Sequence, residues 1–465
     1  MIRTKEGAET YEHSLNHALE FFSKAGSLFE RKGETFYEGE ETALSLFQKT
    51  WIVDKELSMK LLLWLRDCRG GAGNRSGARA CYKWLADTDP NWLIANVDWL
   101  PQVGRWDDLR VLFGTEVEKE AVKCWGDAIV EGNVLAAKWA DRSDRPLREF
   151  FHLTEGAFRW RLANIRKNHI VEHKMCAKNW REVDYPTIPS VAMARYTNAF
   201  GRNDAERFNK YKEKLAKGET TVHASVLFPH DCVRTVKHGD KDIANAQFNA
   251  MPDFMEGTDE RIIVISDTSG SMTSSVSGII EAVDISQGMA LYCSAKISKD
   301  NPFHKKFIAF CSESEFKNWD GMEFSEAVMN TDIFDRAVGS TRIDKALDLI
   351  LSTARYFNIT QEQMPTALVI VSDMQFHQGA DNSGTEVEKC LREWDAFGYN
   401  RPKIVYWNTA GYAGSPDVAN SNNVALISGF SPAVLKSLFK GEDFSPVAIM
   451  MQALEKYYIY TLYTN

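Results

Sequence analysis

From about residue 40 to 215, apolar side chains recur every three or four positions, most clearly in ALSLFQKTWIVDKELSMKLLLWLRDC (43–68). A helix that buries one face requires this spacing, because about 3.6 residues complete each turn. The pattern is interrupted at RGGAGN (69–74), TDPN (88–91), LPQVGRWDD (100–108) and DRSDRP (141–146). These breaks predict helices of roughly 10–20 residues arranged as stacked pairs. No strict repeat length accompanies them.

After a polar stretch near 235–258 the pattern changes, and short β-branched runs alternate with amphipathic segments. The runs RIIVIS (261–266), FIAFCS (307–312), TALVIVS (366–372), KIVYW (403–407) and NVALIS (423–428) predict strands. Helices are expected at about 278–296, 343–357, 384–396, 431–440 and 446–460, and ESEFKNW (313–319) is expected to be an antiparallel edge strand. Such alternation predicts a mainly parallel sheet flanked by helices. The expectation is therefore an α-helical domain over 1–257 and a doubly wound α/β domain over 258–465.

Length agrees with two domains, since single cores stop growing near ~250–300 residues and this chain has 465. A net charge of -9 excludes a protein that coats nucleic acid through its overall charge, so any nucleic-acid site must be a local patch. The eight cysteines are scattered singly, which points to reduced thiols in a cytosol-like compartment. MIRTKEGAETYEH lacks an apolar secretory core, and no apolar run approaches the ~20 residues needed to span a bilayer. A cytoplasmic protein without a membrane partner is expected.

The first predicted strand runs into Asp267-Thr268-Ser269-Gly270-Ser271. Three small polar residues at this spacing ordinarily make only a turn or a helix cap. In an open parallel sheet, however, loops at the carboxyl ends of the strands converge where strand order reverses. Two further oxygen donors sit in such loops: Thr341, in Gly339-Ser340-Thr341 before a helix, and Asp373, at the end of TALVIVS. Asp267, Ser269, Ser271, Thr341 and Asp373 together offer two carboxylates and three hydroxyls, a set suited to Mg²⁺ or another hard divalent cation. His377 is the nearest base and reads as a solvated loop residue. With no nucleophile, acid/base dyad or phosphate-binding G-x-x-x-x-G-K, no enzyme is expected.

D-T-S-G-S, G-S-T and V-S-D resemble the metal-ion-dependent adhesion site of von Willebrand A domains, a likeness spanning roughly 258–465. It implies that the five residues hold a metal directly or through water, with a coordination position left for an acidic protein ligand. In the N-terminal half, R-D-x-R-G-G-x-G-x-R, N-x-x-x-L-x-x-x-G-R-W-D-D-L and W-x-x-V-D-Y-x-x-x-P-S-x-A-M resemble the TROVE module of Ro ribonucleoproteins. They are closer still to TROVE-like proteins that also end in a von Willebrand A domain. The resemblance implies a ring of HEAT-like helical repeats that binds small structured RNAs and the single-stranded ends of misfolded RNAs.

The residues themselves allow two arrangements. Candidate RNA contacts are Arg69, Arg75 and Arg105 around the first loops, and Lys138, Arg142, Arg145 and Arg148 in a second basic zone, with Trp64, Trp84, Trp106, Trp139 and Trp160 interleaved. Basic groups beside aromatic faces suit phosphate neutralisation and base stacking. Alternatively the tryptophans pack helix on helix, and the arginines pair with Asp107, Asp108, Asp141, Asp144 and Glu149. Asp67 is expected to be a structural partner of Arg66 and Arg69. His169, His173 and Cys176 fit a helix face rather than a zinc site, lacking a fourth donor. The leading expectation is a non-enzymatic RNA-binding protein with a Mg²⁺-bearing partner domain. The alternative is a protein-interaction scaffold or adaptor, cellular or viral, that docks an acidic ligand and has no RNA role. Oligomeric state is left open.

Overall fold

The computed structural model describes residues 1–28, 41–167, 169–277, 280–334, 339–378, 385–412, 414–439 and 443–459. A helical N-terminal part is followed by a mixed α/β sheet. Residues 278, 384, 440 and 460, which end predicted helices, lie outside the described residues.

Six strands form the sheet: β1 (Ile262–Asp267), β2 (Lys306–Phe310), β3 (Ser314–Asn318), β4 (Ala367–Ser372), β5 (Lys403–Asn408) and β6 (Val424–Ser428). Their order is β6-β5-β4-β1-β2-β3, and only β3 runs antiparallel, against β2. Every residue of β1 and β4 is buried, so side chains on both faces are covered, as the near-continuous apolar runs require. β3 carries Glu315 and Lys317 on the open edge, charges that discourage strand addition from another chain. β1 continues towards β2 on one side and pairs with β4 on the other, so strand order reverses at β1. Ligand-binding loops collect at such a point.

The helix Ala282–Lys296 is buried nearly all round, because it lies between the sheet and the helix Pro229–His238. A Cβ at Gly288 would stand 2.8 Å from the His230 amide nitrogen, which explains a glycine at that crossing.

In the helical part, α1 (His17–Lys24), α2 (Ala43–Val53), α3 (Lys55–Arg66) and α4 (Arg75–Thr88) start at Asn16, Thr42, Asp54 and Asn74. Each of these side chains accepts a first-turn amide that would otherwise lack a partner. Several details depart from the sequence pattern: the helix expected at 278–296 begins at Ala282, after a strand at Ile280–Glu281, and the one expected at 446–460 ends at Leu454. Part of 100–108 is helical, as Trp99–Val103, and the polar stretch near 235–258 contains the helix Lys241–Asn249. That helix is short and gains its stability from burying Ile243, Ala244 and Phe248 rather than from propensity.

The first 28 residues, assigned with the helical domain on sequence grounds, sit on the α/β part. Tyr11 and Ser415 exchange backbone hydrogen bonds of 3.0 and 2.8 Å, Ser27 Oγ donates to the Asn408 carbonyl at 2.6 Å, and Ser428 Oγ donates to the Phe22 carbonyl at 2.7 Å. α1 thereby lies against β5 and β6 while Phe22 packs on Trp64 of α3, centroids 4.4 Å apart. One continuous apolar core runs through both parts, and a smaller one gathers Tyr185, Met193, Phe200, Phe208 and Tyr211. All eight cysteines are free. Among the described residues no helix is long and apolar enough to cross a membrane.

Candidate metal centre and basic cavity

Asp267 ends β1 and is wholly buried. The turn after it is fixed by the Thr268 amide, which donates to the Phe310 carbonyl of β2 at 2.9 Å, and by the Ser269 amide, which donates to Asp267 Oδ1 at 2.9 Å. Ser269 Oγ and Ser271 Oγ lie 3.2 Å apart. On the neighbouring strand, Ser372 Oγ donates to Asp267 Oδ2 at 2.6 Å and the Met374 amide donates to Ser372 Oγ at 3.0 Å. Met374 is held at φ +62°, unusual for a non-glycine residue, in the loop that aims Asp373 inward. The Gln375 amide donates to Asp373 Oδ1 at 3.1 Å, whereas Asp373 Oδ2, also buried, has no hydrogen-bond partner.

Burial, followed by the charge of Asp373, pushes the Asp267 carboxyl well above its ordinary range, and burial raises Asp373 too. The nearby Ser271 hydroxyl opposes that rise at Asp373. The third loop joins through Gly270, whose amide donates to the Gly339 carbonyl at 3.4 Å, so Thr341 arrives beside the Asp267–Ser271 turn. Thr341 is 2% exposed, and its amide donates to His377 Nδ1 at 2.8 Å. The sequence expectation for His377 is thus corrected: it is half-buried and bonded on both ring nitrogens, with Glu6 Oε2 at 2.7 Å from Nε2. No sequence signal links Glu6 to His377, because only the docking of the N-terminal segment brings them together.

Two buried carboxyls raised above their ordinary range, one carrying an unpartnered oxygen, and three nearby hydroxyl residues make a donor set whose chemistry fits a hard divalent cation. His169 lies outside the short helix Val171–Cys176, so it does not share a face with His173 and Cys176. Among the described residues no group of three or more His, Cys, Asp or Glu is arranged for a metal.

The seven basic candidates divide. Arg105 pairs with Asp107 at 2.7 Å, Lys138 with Glu172 at 2.9 Å, Arg142 with Glu155 at 3.2 Å and Arg145 with Glu149 at 2.6 Å. Arg69 donates to the Gln102 carbonyl at 3.0 Å, and Arg148 Nε is buried without a partner. The tryptophans largely pack: Trp64 is buried, Trp84 stands edge-on to Phe47 and Trp51, and Trp139 lies 3.8 Å under the Arg105 guanidinium, while Trp160 is exposed.

Arg75 differs from the rest. Asp107 and Asp108 are already shared by Arg66, Arg79 and Arg105, leaving Arg75 as surplus positive charge beside them. It is exposed, and partial desolvation, then the charges of Arg105 and Arg79, lower its pKa from the ordinary value. Arg75 opens into a cavity of about 1200 Å³ between α4, the helix Ser190–Asn203 and the start of the helix Pro229–His238. Arg79, Lys83, Arg195, Trp84, Phe228 and His230 also line it. His230 is 2% exposed, lies between Phe228 and Phe430, and leaves Nδ1 without a partner. Burial holds its ring neutral. Arg195 and His230 lie in segments that carry the family resemblance, but they drew no binding role from the sequence because each is far along the chain from the arginines of α4.

The family model described as domain of unknown function DUF2828 matches residues 4–145 and 138–264, together more than half of the chain. The chain belongs to the DUF2828 family. A second model, domain of unknown function DUF7788, matches residues 261–456, which takes in the sheet and all three loops of the candidate metal centre. This DUF2828 member is 25% identical over 525 residues to "Uncharacterized protein L728" of Acanthamoeba polyphaga mimivirus, covering 99% of this chain and 88% of the relative. In structure it is similar to the Deinococcus radiodurans RO (RSR) protein, with a TM-score of 0.50, 14% identity, and coverage of 95% of this chain and all of the other. At that identity the likeness is one of fold.

Proposed function

We propose that this is a non-enzymatic, cytoplasmic RNA-binding protein of the Ro/TROVE-like kind. In this reading the helical part is a HEAT-like, ring-type module that grips small structured or single-stranded RNA. The α/β part is a von Willebrand A-type domain that carries Mg²⁺ on Asp267, Ser269, Ser271, Thr341 and Asp373 for partner binding. The cation would neutralise the two buried carboxylates and offer a coordination position to an acidic group. The protein's own residues fix the three loops around it.

The observation that carries the RNA reading is the cavity beside α4. It combines cations (Arg75, Lys83, Arg195) that outnumber the lining acids Asp87 and Asp231 with the aromatic walls of Trp84 and Phe228 and a neutral His230 whose Nδ1 has no partner. Phosphates suit the cations, and bases suit the aromatic walls and a neutral hydrogen-bonding edge. Among the seven basic residues singled out in the sequence, Arg75 is the one that lines this cavity. Filter-binding titrations of single-stranded and hairpin RNA across a salt series test the reading. Affinity should fall steeply with salt and drop in Arg75→Ala and Arg195→Ala, and a salt-independent affinity insensitive to both variants overturns it.

A second reading rests on the metal centre alone: a scaffold or adaptor, cellular or viral, that docks an acidic protein ligand without RNA. It is supported by the unpartnered Asp373 Oδ2 in a loop held at an uncommon backbone angle. Capture of a protein that is lost with EDTA but survives nuclease treatment favours this reading over the first.

A further inference from the structure

We propose that the N-terminal segment, residues 2–10, is a working part of the cation site, with Glu6 acting through His377 as the positioning residue for Thr341. The proposal rests on the cation reading above and extends it to residues that no loop of the sheet contains.

The segment folds back on itself as a two-residue ladder, Ile2–Arg3 against Glu9–Thr10. Its turn is closed by the Thr4 amide on the Ala8 carbonyl at 2.9 Å and by Arg3 Nη1 on the Gly7 carbonyl at 2.8 Å. The turn docks on the stretch just after Asp373. Thr4 Oγ1 donates to the Phe376 carbonyl at 2.6 Å, the Lys5 amide donates to Gln375 Oε1 at 3.0 Å, and Gly7 forms an antiparallel bridge with His377. The charges of Lys5 and Glu6 both act on Asp373.

His377 then holds Thr341 from two sides. Its ring Nδ1 accepts the Thr341 amide at 2.8 Å, and its own amide donates to the Thr341 carbonyl at 2.9 Å. With Nδ1 as acceptor, the ring proton belongs on Nε2, where Glu6 Oε2 accepts it at 2.7 Å. Glu6 therefore fixes both the tautomer and the orientation of the ring that places Thr341. Where a histidine itself ligates a metal, its carboxylate partner tunes affinity by about 10–100-fold; here the pair acts one step further out, through the Thr341 backbone, so the low end of that range is expected. Linkage is reciprocal, so a cation that needs Thr341 in place must also tighten the docked segment.

The test uses the full chain and Mn²⁺ as probe, with affinity read by electron paramagnetic resonance and amide exchange read at residues 2–10. Glu6→Ala should weaken Mn²⁺ binding about tenfold while the melting temperature in EDTA stays that of the wild type. Glu6→Gln, which keeps an acceptor at Nε2, should recover most of the affinity. Mn²⁺ should slow exchange of the docked segment in the wild type. Affinity in Glu6→Ala within twofold of wild type, or exchange indifferent to Mn²⁺, overturns the proposal while leaving the cation site standing. A wild-type protein that binds no Mn²⁺ overturns both, which keeps the two failures distinct.

Discussion

Tyr457 donates its hydroxyl to Asp67 Oδ2 at 2.8 Å, across 390 residues of chain. The Lys456 ammonium reaches the same oxygen at 2.8 Å, while Oδ1 caps the loop after α3 by accepting the Arg69 and Gly70 amides. Asp67 thus latches the segment just after the helix Pro446–Leu454 to the helical part. The sequence suggested Arg66 and Arg69 as its ionic partners; Arg66 instead pairs with Asp108 at 2.7 Å, and Arg69 contributes only its backbone.

Burial alone would raise the Asp67 carboxyl, but the Lys456 charge and these hydrogen bonds hold it below its ordinary value. A depressed carboxylate contributes stability above its unfolded-state pKa near ~3.9, lost as pH falls through the lower native value. Asp67→Asn should therefore lower stability at neutral pH by about 1–3 kcal/mol and flatten the acid limb of the melting profile. Thermal melts between about pH 2 and pH 7 check both effects.

The raised carboxyls of the candidate metal centre predict the opposite pH trend. Without metal, stability should fall as pH rises from the ordinary carboxylate range through the raised native values, because the fold disfavours both charges. Asp373→Asn should melt at or above the wild type in EDTA. It should lose the response to Mg²⁺, which in the wild type reaches about 2.7 kcal/mol at a hundredfold excess over Kd. Melts with Mg²⁺ and with EDTA at two pH values decide the matter.

For RNA, the expected contrast lies between Arg75 and Arg145. Arg75→Ala should weaken binding across sequences and reduce the salt slope by about one unit. Arg145, exposed, paired with Glu149 and outside the cavity lining, should be replaceable by Ala with little loss of RNA affinity. Equal losses for the two variants would argue against the cavity as the RNA site.

Gly288 offers a test of how the two parts are joined. Its missing Cβ lets the helix Ala282–Lys296 pass against Pro229 and His230, where an added methyl meets backbone at 2.8 Å. Gly288→Ala should cost about 1–3 kcal/mol through overpacking, despite the better helix propensity of alanine. A variant that melts at or above wild type would show that the crossing has room to give.

Much of the architecture is a local property of the chain. The short β-branched runs RIIVIS and TALVIVS favour strands by length and composition, and Asn16, Asp54 and Asn74 carry helix-capping chemistry in themselves. Asp267 and Asp373 close adjacent parallel strands, so their approach follows from sheet topology; which loop hydroxyls stand beside them depends on how the loops fold. Tertiary structure alone decided which charges found partners. Arginine and aspartate pair through space, and their sequence spacing does not say which guanidinium is left over, so Arg75 emerges only after Arg66, Arg79 and Arg105 have claimed Asp107 and Asp108. The role of Glu6 was equally hidden. It depends on a hairpin at one end of the chain docking on a loop more than 360 residues away, through one backbone bridge and side-chain bonds whose partners lie too far apart in sequence to be matched.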